Sequence, residues 1–411
     1  MTDSDQLRLL YGAQGAEAAA GRIASLRENF RACFGKEAEF VFSAPGRTEI
    51  GGNHTDHQLG CVLAASVDLD ALAAVRRVPG TGIRLISEGH GECRTDYDGA
   101  PRREEAGTTA ALIRGMTGGV LGGRRPDCGL EVYVSSRVPA GSGLSSSAAF
   151  EILIGTVLNE LFRDGSVTAA ELARIGQRAE NIYFGKPSGL LDQMACAVGS
   201  AVFIDFGAGG GPLVRRVEAD PEAFGYKLCI IYSGAGHEDL TDQYAAIPAE
   251  CRAVAACFGK RVLREVPEAD FLREIPELRR RAGDRAVLRA LHFYGEDRRA
   301  REEAQALERK DFGAFLRLVR ESGLSSARYL QNIVPAGAAR HQELMVTLAL
   351  AEKVLAGEGA VRVHGGGFGG TAQAFVPEER LAAFKAEMER FLGSGSVQTL
   401  RIRPAGGVRL L

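Results

Sequence analysis

The residues of this sequence that are best suited to chemistry lie in short stretches bounded by glycine, and the clearest is VPAGSGLSSSAAF at residues 138–150. The small residues Gly141, Ser142 and Gly143 allow backbone N–H groups to approach a ligand closely. The pattern becomes helical near Ser145, so the loop leads into the positive end of a helix dipole. This arrangement predicts a cradle for a di- or triphosphate, with serine hydroxyls as oxygen ligands for Mg2+. It is not a Walker A loop, because no Gly-Lys-Ser/Thr closes it, and a plain N-cap on a tightly packed helix is the alternative.

A second stretch, APGRTEIGGNHTDHQLGCVL at residues 44–63, crowds polar side chains between glycines. Its candidates are Arg47, Glu49, Asn53, His54, Asp56 and His57. Such a set can bracket the hydroxyls of a sugar, because each hydroxyl both donates and accepts a hydrogen bond. The His54-x-x-His57 spacing also admits a metal, although it is a weak signal alone, and Asp56 is equally able to cap a turn.

Two carboxylates stand out in a third stretch, residues 179–200, where Glu180 lies in a helical pattern and Asp192 follows a Pro-Ser-Gly turn into the next helix. Across such a turn one carboxylate can hold a metal while the other lies near a substrate hydroxyl. The alternatives are a surface carboxylate for either residue and, for Asp192, a first-turn charge that favours the helix dipole.

The fourth stretch contains a G-x-G-x-x-G pattern formed by Gly365, Gly367 and Gly370. A dinucleotide-binding fingerprint ends a strand and opens a helix, whereas strand-like sequence (TAQAFV) resumes here at once. The pattern therefore predicts a tight glycine turn packed against a ligand or another backbone segment.

Local patterns predict the elements that position these stretches. Alternating or continuous apolar runs predict strands at residues 38–44, 62–78, 83–88, 130–136, 226–233 and 397–403 and on both sides of the late glycines. Apolar residues spaced three and four apart predict helices at 146–162, 168–184 and 378–392, and mostly helix from 240 to about 355. A strand followed by a glycine cluster at residues 201–214 predicts a domain seam near residue 200.

Composition limits the classes of function. The chain has 411 residues, which favours two domains. Its 50 Lys and Arg residues nearly balance 52 Asp and Glu, so no global basic field exists to attract nucleic acid or anionic lipid. No stretch reaches the roughly 20 apolar residues of a membrane span, and the first residues contain no apolar signal segment. Eight scattered cysteines without a C-x-x-C predict neither a disulfide framework nor a zinc site, and so indicate a reducing, cytoplasmic compartment.

Taken together, the four stretches resemble the GHMP small-molecule kinases and, within that superfamily, the galactokinase family. The family's sugar signature, G-R-x-N-L-I-G-E-H-T-D-Y, corresponds to residues 46–57. Its phosphate loop, P-x-G-x-G-L-S-S-S-A, is matched by residues 139–148, its C-G-I-M-D-Q is echoed at 188–193, and its late G-G-G-F-G-G stands at 365–370. The four motifs occur in the family's order and approximate spacing.

The resemblance implies an α+β, two-domain GHMP kinase fold. The N-terminal domain, residues 1–205, would be ribosomal-protein-S5-like, the C-terminal domain, residues 206–411, would be ferredoxin-like, and the active site would lie in the cleft between them.

The resemblance also implies roles for individual residues. Asp192 and Arg47 would be catalytic, and Ser147 and Glu180 would hold Mg2+. ATP phosphates would be bound by Pro139, Gly141, Ser142, Gly143, Leu144, Ser145, Ser146, Ser147 and Ala148. The sugar would be bound by Asn53, His54, Asp56, Tyr244, Gly366 and Gly367. Whether Asp192 takes a proton or only orients the hydroxyl stays open at this point.

The implied activity is ATP- and Mg2+-dependent phosphorylation of the anomeric 1-hydroxyl of galactose. The partners would be a small-molecule sugar, with no nucleic acid and no membrane, and the oligomeric state stays open with a monomer favoured. Departures concentrate on the sugar side: Glu49, Gly51, Asn53 and His57 replace the family's Asn, Ile, Glu and Tyr, and Ile247-Pro248 replace an Arg pair. Two alternatives therefore remain, a kinase for an N-acetylhexosamine or arabinose and a non-catalytic galactose and ATP sensor.

Overall fold

The computed structural model describes residues 3–139, 141, 143–209, 211–236 and 240–411. The strands within this part of the chain are β1 Phe40–Gly51, β2 Cys61–Val78, β3 Ile83–Ser87, β4 Gly91–Thr95, β5 Gly129–Ser136, β6 Ala201–Asp205, β7 Leu213–Val217, β8 Tyr226–Tyr232, β9 Ala360–His364, β10 Thr371–Pro377, β11 Val397–Leu400 and β12 Val408–Arg409. The α-helices are α1 Asp3–Phe34, α2 Thr109–Leu121, α3 Ser146–Arg163, α4 Ala169–Arg178, α5 Leu191–Val198, α6 Thr241–Ala256, α7 Glu268–Arg273, α8 Ile275–Arg281, α9 Asp284–Glu308, α10 Phe312–Ser325, α11 Glu343–Leu355 and α12 Leu381–Leu392. Short π-helical turns follow α4 and α10, at Ala179–Phe184 and Ser326–Leu330.

The larger sheet is built around β2, which is long enough to pair with three strands. It pairs antiparallel with β1 along most of its length, with β6 over residues 61–65 and with β5 over residues 71–78. The described order is β12-β1-β2-β5-β3-β4, with β6 and β7 branching from β2. One face of this sheet packs on apolar residues of α2, α3 and α5 to form the principal core. Because β1 crosses this core, its polar residues are held in a rigid frame.

The smaller sheet has the order β11-β8-β10-β9 and is antiparallel throughout. Helices α6 to α11 connect β8 to β9, and α12 connects β10 to β11, which gives the strand–helix–strand–strand–helix–strand succession of a ferredoxin-like unit. Strands β9 and β10 form a hairpin joined by the glycines at 365–370. This confirms that the glycine pattern turns between two strands and opens no helix.

Most of the elements predicted from sequence are confirmed, with bounds shifted by a few residues. Two helices were missed, α1 and α2. Glycines interrupt both: Gly12 kinks α1 with a φ of 74°, and Gly119 of α2 packs so tightly that a Cβ there would lie 2.3 Å from a side-chain carbon of Ile175. In α2 the glycines serve packing between helices, although the same residues in a sequence indicate a loop.

The predicted domain boundary near residue 205 stays a prediction. The larger sheet takes β7 and β12 from beyond it, so both ends of the chain contribute to that sheet. Within the described ranges, no helix has the length and apolar character needed to cross a bilayer.

Candidate active site

An ion pair between Arg47 and Asp192 lies at the centre of the candidate site. Arg47 is on β1, and Asp192 is in the first turn of α5, 145 positions later. The carboxylate oxygen Oδ1 of Asp192 accepts a hydrogen bond from Nε of Arg47 at 2.8 Å and lies 2.7 Å from Nη2 in the same ion pair. Burial disfavours the charged guanidinium, but the adjacent Asp192 outweighs it and leaves the pKa of Arg47 raised. The pair therefore presents a fixed cation beside a carboxylate.

We call residues 139–148 the serine loop. Its described residues lie directly against this pair. A Cβ on Gly46 would lie 2.7 Å from the carbonyl oxygen of Leu144, so glycine there lets the loop rest on β1. The backbone N–H of Arg47 donates to that carbonyl at 3.0 Å, and its Nη1 donates to the carbonyl of Gly143. Ser145 precedes α3 and donates its hydroxyl to the second oxygen of Asp192, Oδ2.

Glycine is required in the loop for conformational reasons as well. Gly143 has a φ of 73°, which other residues rarely adopt, and a Cβ on it would lie 3.1 Å from Nδ1 of the buried His364. Pro139, Gly141 and residues 143–148 are described, whereas Ser142, which was predicted to bind phosphate, lies outside the described residues. His364 was not predicted, and burial with the nearby Arg47 holds its pKa well below the usual value, so its ring adds no positive charge behind the loop.

The second predicted pair, Ser147 and Glu180, also meets. The Ser147 hydroxyl lies 3.1 Å from Oε1 of Glu180, which is 3% exposed. The π-helical turn after α4 carries Glu180, and its other oxygen accepts a hydrogen bond from Nε2 of Gln193 at 2.9 Å. Nζ of Lys186 lies 2.8 Å from Oε1 and was not predicted. A hydroxyl and a carboxylate oxygen suit Mg2+, which is usually held by one or two carboxylates, with phosphates and water completing its shell.

A cavity of about 130 Å³ opens beside Asp192 and collects most of the predicted sugar-binding residues. Its lining includes Asn53, His54, Asp56, Asp192 and Gly366. The ring nitrogen Nε2 of His54 lies 3.0 Å from the carbonyl oxygen of Gly366, so the proton of a neutral ring belongs on Nε2 and leaves Nδ1 as an acceptor. Burial, with the neighbouring His57, lowers the pKa of His54 to about 4.

Tyr244 supports this cavity from behind. Its hydroxyl donates to the carbonyl of Gly367 at 2.9 Å, and a Cβ on Gly366 would lie 2.5 Å from its ring. Its ring also meets Phe368 edge-on, with centroids 5.5 Å apart. These contacts fix the shape of the glycine turn that forms one wall of the cavity.

The cavity wall also contains Glu49, a candidate of the polar stretch at residues 44–63 to which the family resemblance assigned no role. It lies on β1 two positions after Arg47 and pairs with Nη2 of Arg362 at 2.9 Å. Burial raises the pKa of Glu49 in spite of that partner. In the sequence, only the position of Glu49 within a dense polar segment indicates a binding role. Its pairing with Arg362 could not be predicted, because Arg362 is 313 positions away.

Comparisons with known families agree with this geometry. Residues 28–77 match the galactokinase galactose-binding signature, and residues 108–200 match the N-terminal domain of the GHMP kinases. The first range contains Arg47 and the polar segment of the cavity, and the second contains the serine loop, Glu180 and Asp192.

Similar full-length proteins are galactokinases. The galactokinase of Streptomyces coelicolor is 32% identical, and the alignment covers 96% of this chain and 99% of the relative. The human galactokinase is 34% identical, with coverage of 85% and 86%. Among solved structures, Lactococcus lactis galactokinase complexed with galactose superposes with a TM-score of 0.78 at 26% identity and covers 94% of this chain and 99% of that one. A mevalonate kinase at 16% identity and a TM-score of 0.63 shares the fold.

Proposed function

This chain belongs to the galactokinase family, and from that premise we propose that it transfers the γ-phosphoryl group of ATP to the anomeric 1-hydroxyl of galactose. The observation that carries the proposal is the position of the Arg47–Asp192 ion pair. Asp192 lines the sugar cavity with one side and hydrogen-bonds Ser145 at the end of the serine loop with the other. An acceptor hydroxyl in the cavity and a terminal phosphate on the loop therefore meet at this pair.

In the proposed reaction the 1-oxygen of galactose forms a bond to the γ-phosphorus while the bond from that phosphorus to the β,γ-bridging oxygen breaks. ADP leaves, and the hydroxyl proton passes to Asp192. Oδ1 of Asp192 accepts a hydrogen bond from Nε of Arg47 and lies in the ion pair with Nη2, so Oδ2, which accepts a hydrogen bond from Ser145 in this structure, is the oxygen that receives the proton. Phosphoryl transfer depends mainly on positioning and charge neutralisation, and this arrangement supplies both.

The serine loop and α3 bind the phosphates in this proposal. Of the described residues, Gly141 and residues 143–148 offer backbone N–H groups to the ATP phosphates, and the N-terminus of α3 adds its positive dipole end. The backbone N–H of Arg47 donates to the carbonyl of Leu144 and its guanidinium donates to the carbonyl of Gly143, so the guanidinium stays beside the γ-phosphate during transfer. Its raised pKa keeps it charged throughout.

Mg2+ is the cofactor that fits the second pair of residues. Ser147 and Glu180 would hold it, and the bound ion would neutralise charge on the β- and γ-phosphates. Gln193 fixes one oxygen of Glu180, while Lys186 balances the charge of the other and is exposed enough to move aside.

Sugar binding is assigned to the cavity beside Asp192. His54 offers Nδ1 as an acceptor, Asp56 offers a carboxylate, and Asn53 and Gly366 form the wall, while Tyr244 and Gly367 support it. No observation favours an N-acetylhexosamine, arabinose or a sensor role. A cytoplasmic location and a monomeric state stay predictions.

The test is a coupled assay of ADP release with ATP, Mg2+ and a panel of free sugars, followed by phosphorus NMR of the product. Galactose should be turned over and phosphorylated on the anomeric oxygen. Turnover restricted to an N-acetylhexosamine or arabinose, or absent with every sugar, would contradict the proposal.

A further inference from the structure

The carboxylate of Glu49 has one oxygen held by the protein and one left for a ligand. Oε1 accepts hydrogen bonds from Nη2 of Arg362 and from Nδ2 of Asn53, both at 2.9 Å. Oε2 has no hydrogen-bond partner within the described ranges, and the side chain lines the cavity of about 130 Å³ beside Asp192. Water can hydrate this oxygen while the cavity is empty, and a ligand that displaces the water has to supply a donor in its place.

The side-chain amide of Asn53 cannot bind a sugar hydroxyl in place of Glu49, because protein groups already occupy its hydrogen-bonding positions. Nδ2 donates one hydrogen to Glu49 and the other to the carbonyl of Gly365 at 2.7 Å. Oδ1 accepts from Nδ2 of Asn332 at 2.8 Å and from the hydroxyl of Ser326 at 3.4 Å. The amide therefore has both donors and both acceptor positions filled by protein groups.

The residues behind Glu49 are adapted to this arrangement. Arg362 is fully buried and also donates to the carbonyl of Ile50, so it holds the Glu49 carboxylate at a fixed place. Glycine at position 51 is required by the same packing, since a Cβ there would lie 1.7 Å from Oε2 of the buried Glu303.

The signature of the family places an amide and a carboxylate in the order N…E, whereas this chain has Glu49 and Asn53 in the reverse order. In this chain the two side chains form a hydrogen-bonded pair.

We propose that Glu49 determines sugar specificity: its Oε2 accepts a hydrogen bond from a sugar hydroxyl remote from the anomeric position, and Asn53 positions the carboxylate. Glu49 lies two residues beyond Arg47 on β1, an advance of about 6.6 Å along a strand. It therefore reaches the part of the sugar away from the oxygen held by Asp192. This inference rests on the proposed function, because it takes galactose as the occupant of the cavity.

The test combines Glu49→Gln with the four monodeoxygalactoses that lack the 2-, 3-, 4- or 6-hydroxyl. The variant should raise KM for galactose by about tenfold or more, the effect of losing a hydrogen bond to a charged group, while kcat stays unchanged. One deoxygalactose should be a poor substrate for the wild-type enzyme. The variant should use that deoxygalactose and galactose equally well. If Glu49 had only a structural role, the variant would bind galactose and all four deoxygalactoses more weakly by the same factor.

The matched control is Glu303→Gln, which alters a buried carboxyl beside the same Arg362 but outside the cavity lining. Its KM values should equal those of the wild type. If Glu49→Gln does not fold, the exchange variant Glu49→Asn/Asn53→Glu keeps the charge near Arg362, and its penalised deoxygalactose should differ from that of the wild type. An unchanged KM in Glu49→Gln, or the same pattern of penalties in the wild type and the variants, would overturn the inference.

Failure of the proposed function has a different signature, because the wild-type chain would then release no ADP with galactose. In that case calorimetric titration of galactose into the wild type and Glu49→Gln decides the inference. Weaker binding in the variant would support it, and equal binding or no binding to the wild type would overturn it.

Discussion

Replacement of Asp192 by asparagine separates proton transfer from sugar binding. The amide is the same size as the carboxylate and can still accept one hydrogen bond from Arg47, but it carries no charge and cannot take a proton. The cavity wall formed by Glu49 and His54 does not depend on Asp192 and stays intact.

The expected loss follows from the contacts of the two carboxylate oxygens. Oδ1 orients Arg47 through a hydrogen bond from Nε and the ion pair with Nη2, and Oδ2 is the proposed proton acceptor. General-base catalysis typically contributes about 10²–10⁴-fold, so kcat should fall at least a hundredfold, or about 2.7 kcal/mol at 1.36 kcal/mol for each tenfold. KM for galactose should change little, because the hydrogen bonds to the rest of the sugar remain.

The assay is steady-state ADP release with galactose, together with calorimetric binding of galactose. Asp205→Asn is the matched control, since Asp205 is also paired with an arginine, Arg264, but lies away from the cavity lining. The control should keep the wild-type kcat. An Asp192→Asn enzyme with kcat within about tenfold of the wild type would refute proton transfer to Asp192, and a higher KM with unchanged kcat would limit its role to orienting the hydroxyl.

Three further perturbations test the metal site, a buried carboxyl and a buried ion pair. Glu180→Gln should raise the Mg2+ concentration for half-maximal ADP release by about tenfold or more. The control Glu160→Gln, on the exposed face of α3, should leave that concentration unchanged. Identical Mg2+ titrations of Glu180→Gln and the wild type would remove Glu180 from the metal site. Burial and the nearby Glu296 hold the pKa of Glu303 well above its usual value, so the folded protein keeps a proton that the unfolded chain releases above about pH 4.3. The stability contributed by this proton is complete below that pH and declines as pH rises toward the folded pKa, by up to about 1.4 kcal/mol per unit. Urea unfolding should therefore show Glu303→Gln gaining stability over the wild type between pH 5 and pH 8, and a constant difference would contradict the assignment. Arg403→Met should destabilise the fold by about 3 kcal/mol, because it leaves the fully buried Asp70 with one fewer cation. The control Arg273→Met removes an exposed ion pair and should cost under about 0.5 kcal/mol. Equal losses of stability in the two variants would contradict this reasoning.

Local sequence predicted most elements because their signals are local. The apolar runs of β2 and β8 and the three-and-four spacing of α3 were confirmed. The glycine-rich α2 was missed, because its glycines are selected by contact with α4 and the following turn, which no local pattern contains. The C-terminal end of β1 was also underestimated, because the strand continues through Pro45 to Gly51 by means of an irregularity in its pairing with β2.

The candidate site was predictable to a similar degree. The resemblance to the GHMP kinases pointed to Arg47, Asp192, Ser147 and Glu180, and the structure brings each pair within hydrogen-bonding distance. Lys186 and His364 were not predicted, because nothing in their own segments indicates that they approach a carboxylate or a loop.

The sequence by itself determined the chemistry available to this protein, a glycine-rich loop before a helix, an arginine, carboxylates and a polar sugar segment, because motif order and residue type need no folding to be recognised. Tertiary structure decided which groups are free to act. In the sequence, Asn53 and Glu49 look equally able to bind a hydroxyl. In the structure, Asn332 donates to Oδ1 of Asn53, whereas Arg362 donates to Oε1 of Glu49 and Oε2 remains available. Both partners lie about 280 positions or more away in the chain. Hydrogen-bonding capacity is finite, so the partners brought together by packing determine what remains for a ligand.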